Sequence, residues 1–110
     1  MLPESGQIAV YAKPNAPFEL RMFPIRAPRP GEVLVKVKMC TICRSDIHSY
    51  LGHRPNPTPG VLGHEIIGTI VELGEGIERD MRGDPLRPGD RITWSEYFIP
   101  GDNYYTEVLD

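Results

Sequence analysis

Two cysteines, no long apolar run and no surplus of positive charge set the first limits on this 110-residue chain. Cys40 and Cys43 lie three residues apart, which cannot make a disulfide framework, so cytoplasm is the expected compartment. No apolar stretch approaches the about 20 residues of a membrane-spanning helix, and the N-terminus lacks the basic-then-apolar layout of a signal peptide. No membrane role is expected. A formal charge of −3 argues against nucleic-acid binding, which needs a clustered basic face. The longest basic run, RAPRP at 26–30, is broken by prolines and reads as ordinary surface. Internal repeats and low-complexity segments are also missing.

Proline and glycine are plentiful instead, at twelve and eleven residues, and they favour short strands and turns over long helices. The length suits one domain over residues 1–110 with a modest core. Two alternating runs, Ile8 to Ala12 and Phe18 to Phe23, flank the turn chemistry of KPNAP and predict a hairpin. In EVLVKVKMCTI, Val33, Val35 and Val37 point one way while Leu34, Lys36 and Lys38 point the other. That is the pattern of a half-buried strand. A serine or aspartate cap followed by Ile47, Tyr50 and Leu51, then Gly52, predicts one or two helical turns. VLGHEIIGTIVELGEG reads as a buried strand bent at Gly63 and Gly68. ERDMRGDPLRPGD reads as a polar loop, RITW as a short strand, IPGDNYY as a turn and YTEVL as a last strand. The fold class is mainly β, as a compact barrel or sandwich.

Three polar clusters carry the chemistry: Cys43-Arg44-Ser45-Asp46 with His48, then His64-Glu65, then Asp90-Arg91. A thiolate and an imidazole are both good zinc donors, and a carboxylate behind a ligating histidine fixes its tautomer. Plainer readings stand beside this one. A lone cysteine is commonly a small buried hydrophobe, and a His-Glu pair is commonly surface. Cys40 and Cys43 could also be a redox dithiol, but that predicts a thioredoxin-like βαβ setting which the valine strand and the following prolines do not provide. Spacing alone leaves these readings open.

GHEIIGTIVELGEGI, from Gly63 to Ile77, preceded by CRSDIH and followed by RPGDRI, resembles the N-terminal catalytic domain of the zinc-dependent medium-chain alcohol dehydrogenases. The resemblance implies a GroES-like, partly open β-barrel with one or two short helices. It implies a small-molecule alcohol oxidised to an aldehyde or ketone, with hydride passed to NAD(P). By the same resemblance Cys43 and His64 are ligands of a catalytic zinc, and Glu65 stands just behind the metal. Asp46 orients the zinc-binding histidine, Ser45 takes the alcohol proton, His48 relays it outward, and Arg44 contacts the cofactor's pyrophosphate. Each has a plain counterpart. Ser45 or Asp46 could cap the helix, His48 and His53 could be surface residues, and Arg44 could make a local ion pair. Gly63, Gly68 and Gly74 could be structural, Cys40 could only pack, and Trp94 reads better as core than as the wall of a substrate cleft.

Two features depart from the resemblance. Family members continue into a Rossmann domain that also brings a third zinc ligand, yet no Gly-x-Gly-x-x-Gly follows a strand in these 110 residues. Many members also carry four closely spaced cysteines after PGDR, whereas WSEYFIPGDNYYTEVLD has none. The loop around ERDMRGDPLRPGDRITWS is longer than in many members and looks similar to a branch found among phosphonate-associated alcohol dehydrogenases. The chain is therefore expected to be a catalytic-domain portion, inactive by itself. The alternative is a stand-alone GroES-like binding or assembly module. An exposed apolar face is expected where a further domain would pack, which leaves a homo-oligomer open.

Overall fold

The computed structural model describes residues 2–95. Their order is β1 (Ser5–Val10), β2 (Glu19–Pro24), β3 (Val33–Thr41), α1 (Arg44–Tyr50), β4 (Glu65–Leu73) and β5 (Arg91–Thr93). The described residues are thus mainly β with one short helix, as expected. The turn and strand expected at IPGDNYY and YTEVL lie outside them. No helix among the described residues is long and apolar enough to cross a membrane.

The predicted hairpin forms, with β1 and β2 antiparallel from Ser5↔Pro24 to Val10↔Glu19. It reaches back to Ser5, beyond the alternating run, because β2 offers partners as far as Pro24. Tyr11 then leaves β2 and bridges Gly60, with N–H to O distances of 2.7 and 3.0 Å. Downstream of the hairpin, Glu32 accepts from the two terminal guanidinium nitrogens of Arg26 at 2.7 and 3.0 Å and from the Arg29 N–H at 2.8 Å. The Arg26 bonds first, and the Arg29 bond second, hold the Glu32 carboxyl down to about 2. The basic run is therefore exposed surface whose first arginine serves a local clamp.

The second sheet has the order β3-β4-β5, all antiparallel. The β3–β4 register runs from Val33↔Leu73 to Thr41↔Glu65, with shifts at Leu34/Val35 and Val37/Met39. The first shift leaves Val71 unpaired on β4 and the second leaves Lys38 unpaired on β3, so the alternation of Val33, Val35 and Val37 runs unbroken and the face changes only past Val37. Val33 and Val35 are half-buried, while Val37 is 55% exposed. The two sheets share no strand pairing, so they are not closed into a barrel among the described residues. A cavity of about 620 Å³ lies between them, lined by Ile8, Phe18, Val37, Ile47, Val61 and Ile66 among others.

Among the described residues the buried apolar core is small: Val10, Tyr11 and Ile70. Ile70 is fixed on both backbone sides, its N–H donating to Asp90 O at 2.9 Å and its carbonyl accepting from Gly89 N–H at 2.8 Å. The RPGDR landmark is thus a turn bolted to β4. Its Asp90 carboxylate accepts the Arg87 N–H at 2.9 Å. Tyr11 joins the hairpin to α1, because its hydroxyl donates to the Ser49 carbonyl at 2.8 Å. Phe18 stacks on Tyr50 at 5.6 Å beside it.

One expectation about packing fails: Trp94 is 42% exposed. Cys40 is exposed overall, but its sulfur packs against Gly63. The glycines behave structurally where the backbone closes up. A Cβ on Gly74 would stand 2.1 Å from Arg29 O and 2.5 Å from Glu32 O, far inside contact distance. Urea unfolding is expected to show Gly74→Ala destabilised by about 1–3 kcal/mol. Tyr11→Phe should cost about 1 kcal/mol, the usual net value of one such hydrogen bond. A Gly74→Ala midpoint equal to that of the parent chain would contradict this packing.

Candidate metal centre

Thr41↔Glu65 is the last pair of the β3–β4 ladder. Just past it the two chain ends diverge little. Cys43 follows Thr41 by two residues, and His64 immediately precedes Glu65. The ladder therefore delivers a thiol, an imidazole and a carboxylate to one end of one strand pair. One ligand atom from each of Cys43, His64 and Glu65 lies within 4.8 Å of the others. Cys43 and His64 are half-buried and Glu65 is exposed. A tetrahedral zinc with sulfur at about 2.3 Å and nitrogen or oxygen at about 2.0–2.2 Å holds its donors about 3.5 Å apart. The trio fits that shell with side-chain movements of about 1 Å at most.

Cys43 occupies the N-cap position of α1 with extended backbone, φ −89 and ψ 155. The sequence pointed to Ser45 or Asp46 as the cap. Asp46 does the work from the third helical position instead, its Oδ2 accepting the Cys43 N–H at 3.0 Å. Its other oxygen, Oδ1, faces His64 Nδ1 at 3.5 Å. An imidazole whose Nδ1 faces a carboxylate keeps Nε2 for coordination. Ser45 sits one position before Asp46, inside the helix, and its hydroxyl turns to Cys43. Hydrogen bonding from that hydroxyl, then from the Ser45 N–H and the His64 side chain, holds the Cys43 thiol below its ordinary pKa. Partial burial and the Glu65 charge push the other way. The net effect is a lowered pKa, which makes the thiolate, the form that binds metal, easier to reach.

Thr41 was not legible as a site residue. Its hydroxyl donates to Glu65 Oε2 across the strand pair. Only the register could have revealed this contact. Cys40 stands apart from the donor trio. Gly63, at φ 112°, would place a Cβ 2.6 Å from the Cys40 sulfur, so Cys40 lies against the backbone that leads into His64. Arg44 and His48 are exposed on α1, outside the trio. The local ion pair considered for Arg44 is not formed among the described residues. Both thiols are free.

Residues 29–106 match the alcohol dehydrogenase GroES-like domain family. The chain is 42% identical over 91 residues to a sorbitol dehydrogenase of Halalkalibacterium halodurans, covering 81% of this chain and 21% of that protein. An alcohol dehydrogenase from Thermotoga maritima has a similar structure, with a TM-score of 0.86 at 35% identity. That likeness covers 94% of this chain and 28% of the other. An acetophenone reductase from Geotrichum candidum, in complex with NAD, gives a TM-score of 0.64 at 38% identity, over 77% of this chain and 24% of that one. The chain thus spans between a fifth and a third of the length of these proteins.

The depressed Cys43 pKa gives a pH dependence with a fixed sign. A group whose folded value lies below its unfolded one adds stability above the unfolded value and loses it as pH falls through the folded one. The metal-free chain should therefore lose stability as pH drops across the window between the two thiol values. Ser45→Ala should raise the pH at which Cys43 becomes reactive to iodoacetamide, measured in a Cys40→Ser background. An unchanged alkylation profile would contradict the role of the Ser45 hydroxyl.

Proposed function

The chain belongs to the alcohol dehydrogenase GroES-like domain family, and from that membership we propose that it forms the metal-holding, alcohol-binding portion of a zinc-dependent dehydrogenase. The reaction is oxidation of an alcohol to an aldehyde or ketone, with hydride passed to NAD(P). The observation that carries this reading is the convergence of Cys43, His64 and Glu65 with Asp46 behind the histidine.

Sulfur, nitrogen and oxygen donors in one cluster suit zinc, which accepts all three without a strong geometric preference. Bound there, zinc would act as a Lewis acid that makes the alcohol proton easier to remove. The remaining work falls to side chains. Cys43 and His64 would hold the ion, and Glu65, steadied by Thr41, would complete the set within this chain. Asp46 keeps His64 turned toward the cluster. The Ser45 hydroxyl, which already bonds to Cys43, accepts the alcohol proton. His48 lies three residues further along α1, close enough on the helix surface to carry that proton to solvent. Arg44, exposed and without an ion pair among the described residues, is available to the cofactor's pyrophosphate. The alcohol thus loses a proton through Ser45 and a hydride to the nicotinamide, whose chemistry belongs to the cofactor.

The cofactor's own binding fold is proposed to come from outside these 110 residues, since they contain no Gly-x-Gly-x-x-Gly. The free thiols suit the cytoplasm. Elemental analysis after dialysis is expected to find about one zinc per chain, held in Cys40→Ser and lost in Cys43→Ser and His64→Gln. The 110-residue chain alone should give no alcohol-dependent reduction of NAD(P). Equal loss of zinc in both cysteine variants, or a zinc-free parent chain, would overturn the reading.

A further inference from the structure

The stretch HSYLGH closes α1 in a way that the proposed chemistry does not use. Gly52 takes the left-handed conformation at φ 80°, and its N–H donates to the Ser49 carbonyl at 3.1 Å. The His53 N–H donates to the His48 carbonyl at 2.9 Å. This double closure brings the side chain three residues before the C-cap against the one two residues after it. Ordinarily two apolar residues make that contact. Here the positions are filled by His48 and His53, whose ring centroids lie 5.9 Å apart at 44°. Both are exposed, and neither imidazole makes a side-chain hydrogen bond or ion pair among the described residues. Two imidazoles have taken a place where an aliphatic pair would stabilise the helix end better.

We propose that His48 and His53 form a second cation site, selective for an imidazole-preferring divalent ion such as copper or zinc. Two imidazoles bound to one ion at about 2.0–2.1 Å have centroids about 5–6.5 Å apart over the usual range of bond angles. The observed 5.9 Å lies within about 1 Å of the separation at a tetrahedral or a trans angle, so modest side-chain rotation brings both rings onto one ion. The backbone closure fixes the separation in advance, which lowers the ordering cost of bringing in the second donor. With two protein donors and water in the remaining positions, the site binds more weakly than Cys43, His64 and Glu65. Arg54 beside His53 and Arg44 one turn before His48 oppose a cation there. Both are exposed, and salt screens exposed charges over about 10 Å. Neutral imidazole donors bond to the ion directly. An ion on His48 would also take that ring out of proton transfer, a consequence that rests on the functional reading above; the binding itself does not.

The test uses the three histidines as reporters. The histidine-labelled chain, loaded with zinc, is titrated with copper(II) near pH 7.5 and followed by nuclear magnetic resonance. Copper leads the affinity order for such donors and broadens nearby signals. The His48 and His53 ring signals should vanish together and before those of His64. His53→Gln should raise the copper needed to broaden His48 by about tenfold or more, as removal of a tethered second donor does. His48→Gln should do the same for His53, and Cys43→Ser should leave both responses intact. Independent broadening, with neither substitution affecting the other ring, would overturn the proposal. So would loss of both responses in Cys43→Ser. Failure of the zinc reading shows instead as zinc that survives dialysis in a Cys43→Ser, His48→Gln double variant, so the two outcomes are distinguishable.

Discussion

One carboxylate joins the folding of α1 to the construction of the metal centre. Asp46 Oδ2 accepts the N–H of Cys43 at 3.0 Å, and Oδ1 faces His64 Nδ1 at 3.5 Å. A helix of seven residues has no stability of its own in water. It exists here because its start is capped by Asp46, its last turn is tied to Tyr11, and its end is closed at Gly52. Cys43 is the first residue of that construction, so the thiol's position follows from the cap. Whatever loosens the cap also frees the histidine that leads into the neighbouring strand.

The strand pair beneath supplies the other half of the constraint. Thr41 and Glu65 end the β3–β4 ladder as partners, and the donors emerge from that end. The Thr41 hydroxyl holds Glu65, and the Cys40 sulfur fills the space left by Gly63 before His64. Cys40 and Cys43 therefore divide the labour that their spacing suggests they share. One supports the approach to the site, and the other joins the donor trio.

Much of this was legible because its physics is local. Alternating residues and turn chemistry marked the β1–β2 hairpin, valine alternation marked β3, and the apolar spacing before Gly52 marked α1. The irregularities of the β3–β4 ladder were not legible, since an extra residue in a ladder depends on the partner strand. The exposure of Val37 follows from the open space between the sheets, whose cavity it lines. Trp94 misled for a related reason, because aromatic composition favours burial but cannot say which surfaces are covered. At the site, Cys43, His64, Glu65 and Asp46 stood out as residue types, and the three-dimensional arrangement brings them together. Cys43 as N-cap, Ser45 turned toward its sulfur and Thr41 behind Glu65 each depend on geometry that no spacing encodes.

The account stands or falls on which atoms surround the metal. X-ray absorption at the zinc edge of the zinc-loaded chain counts them directly. The expected spectrum has one sulfur at about 2.3 Å and nitrogen or oxygen donors at about 2.0–2.2 Å. Two sulfurs in the shell would mean that Cys40 joins Cys43 on the ion, and a shell without sulfur would remove Cys43 from it. Either result would contradict a centre built from Cys43, His64 and Glu65.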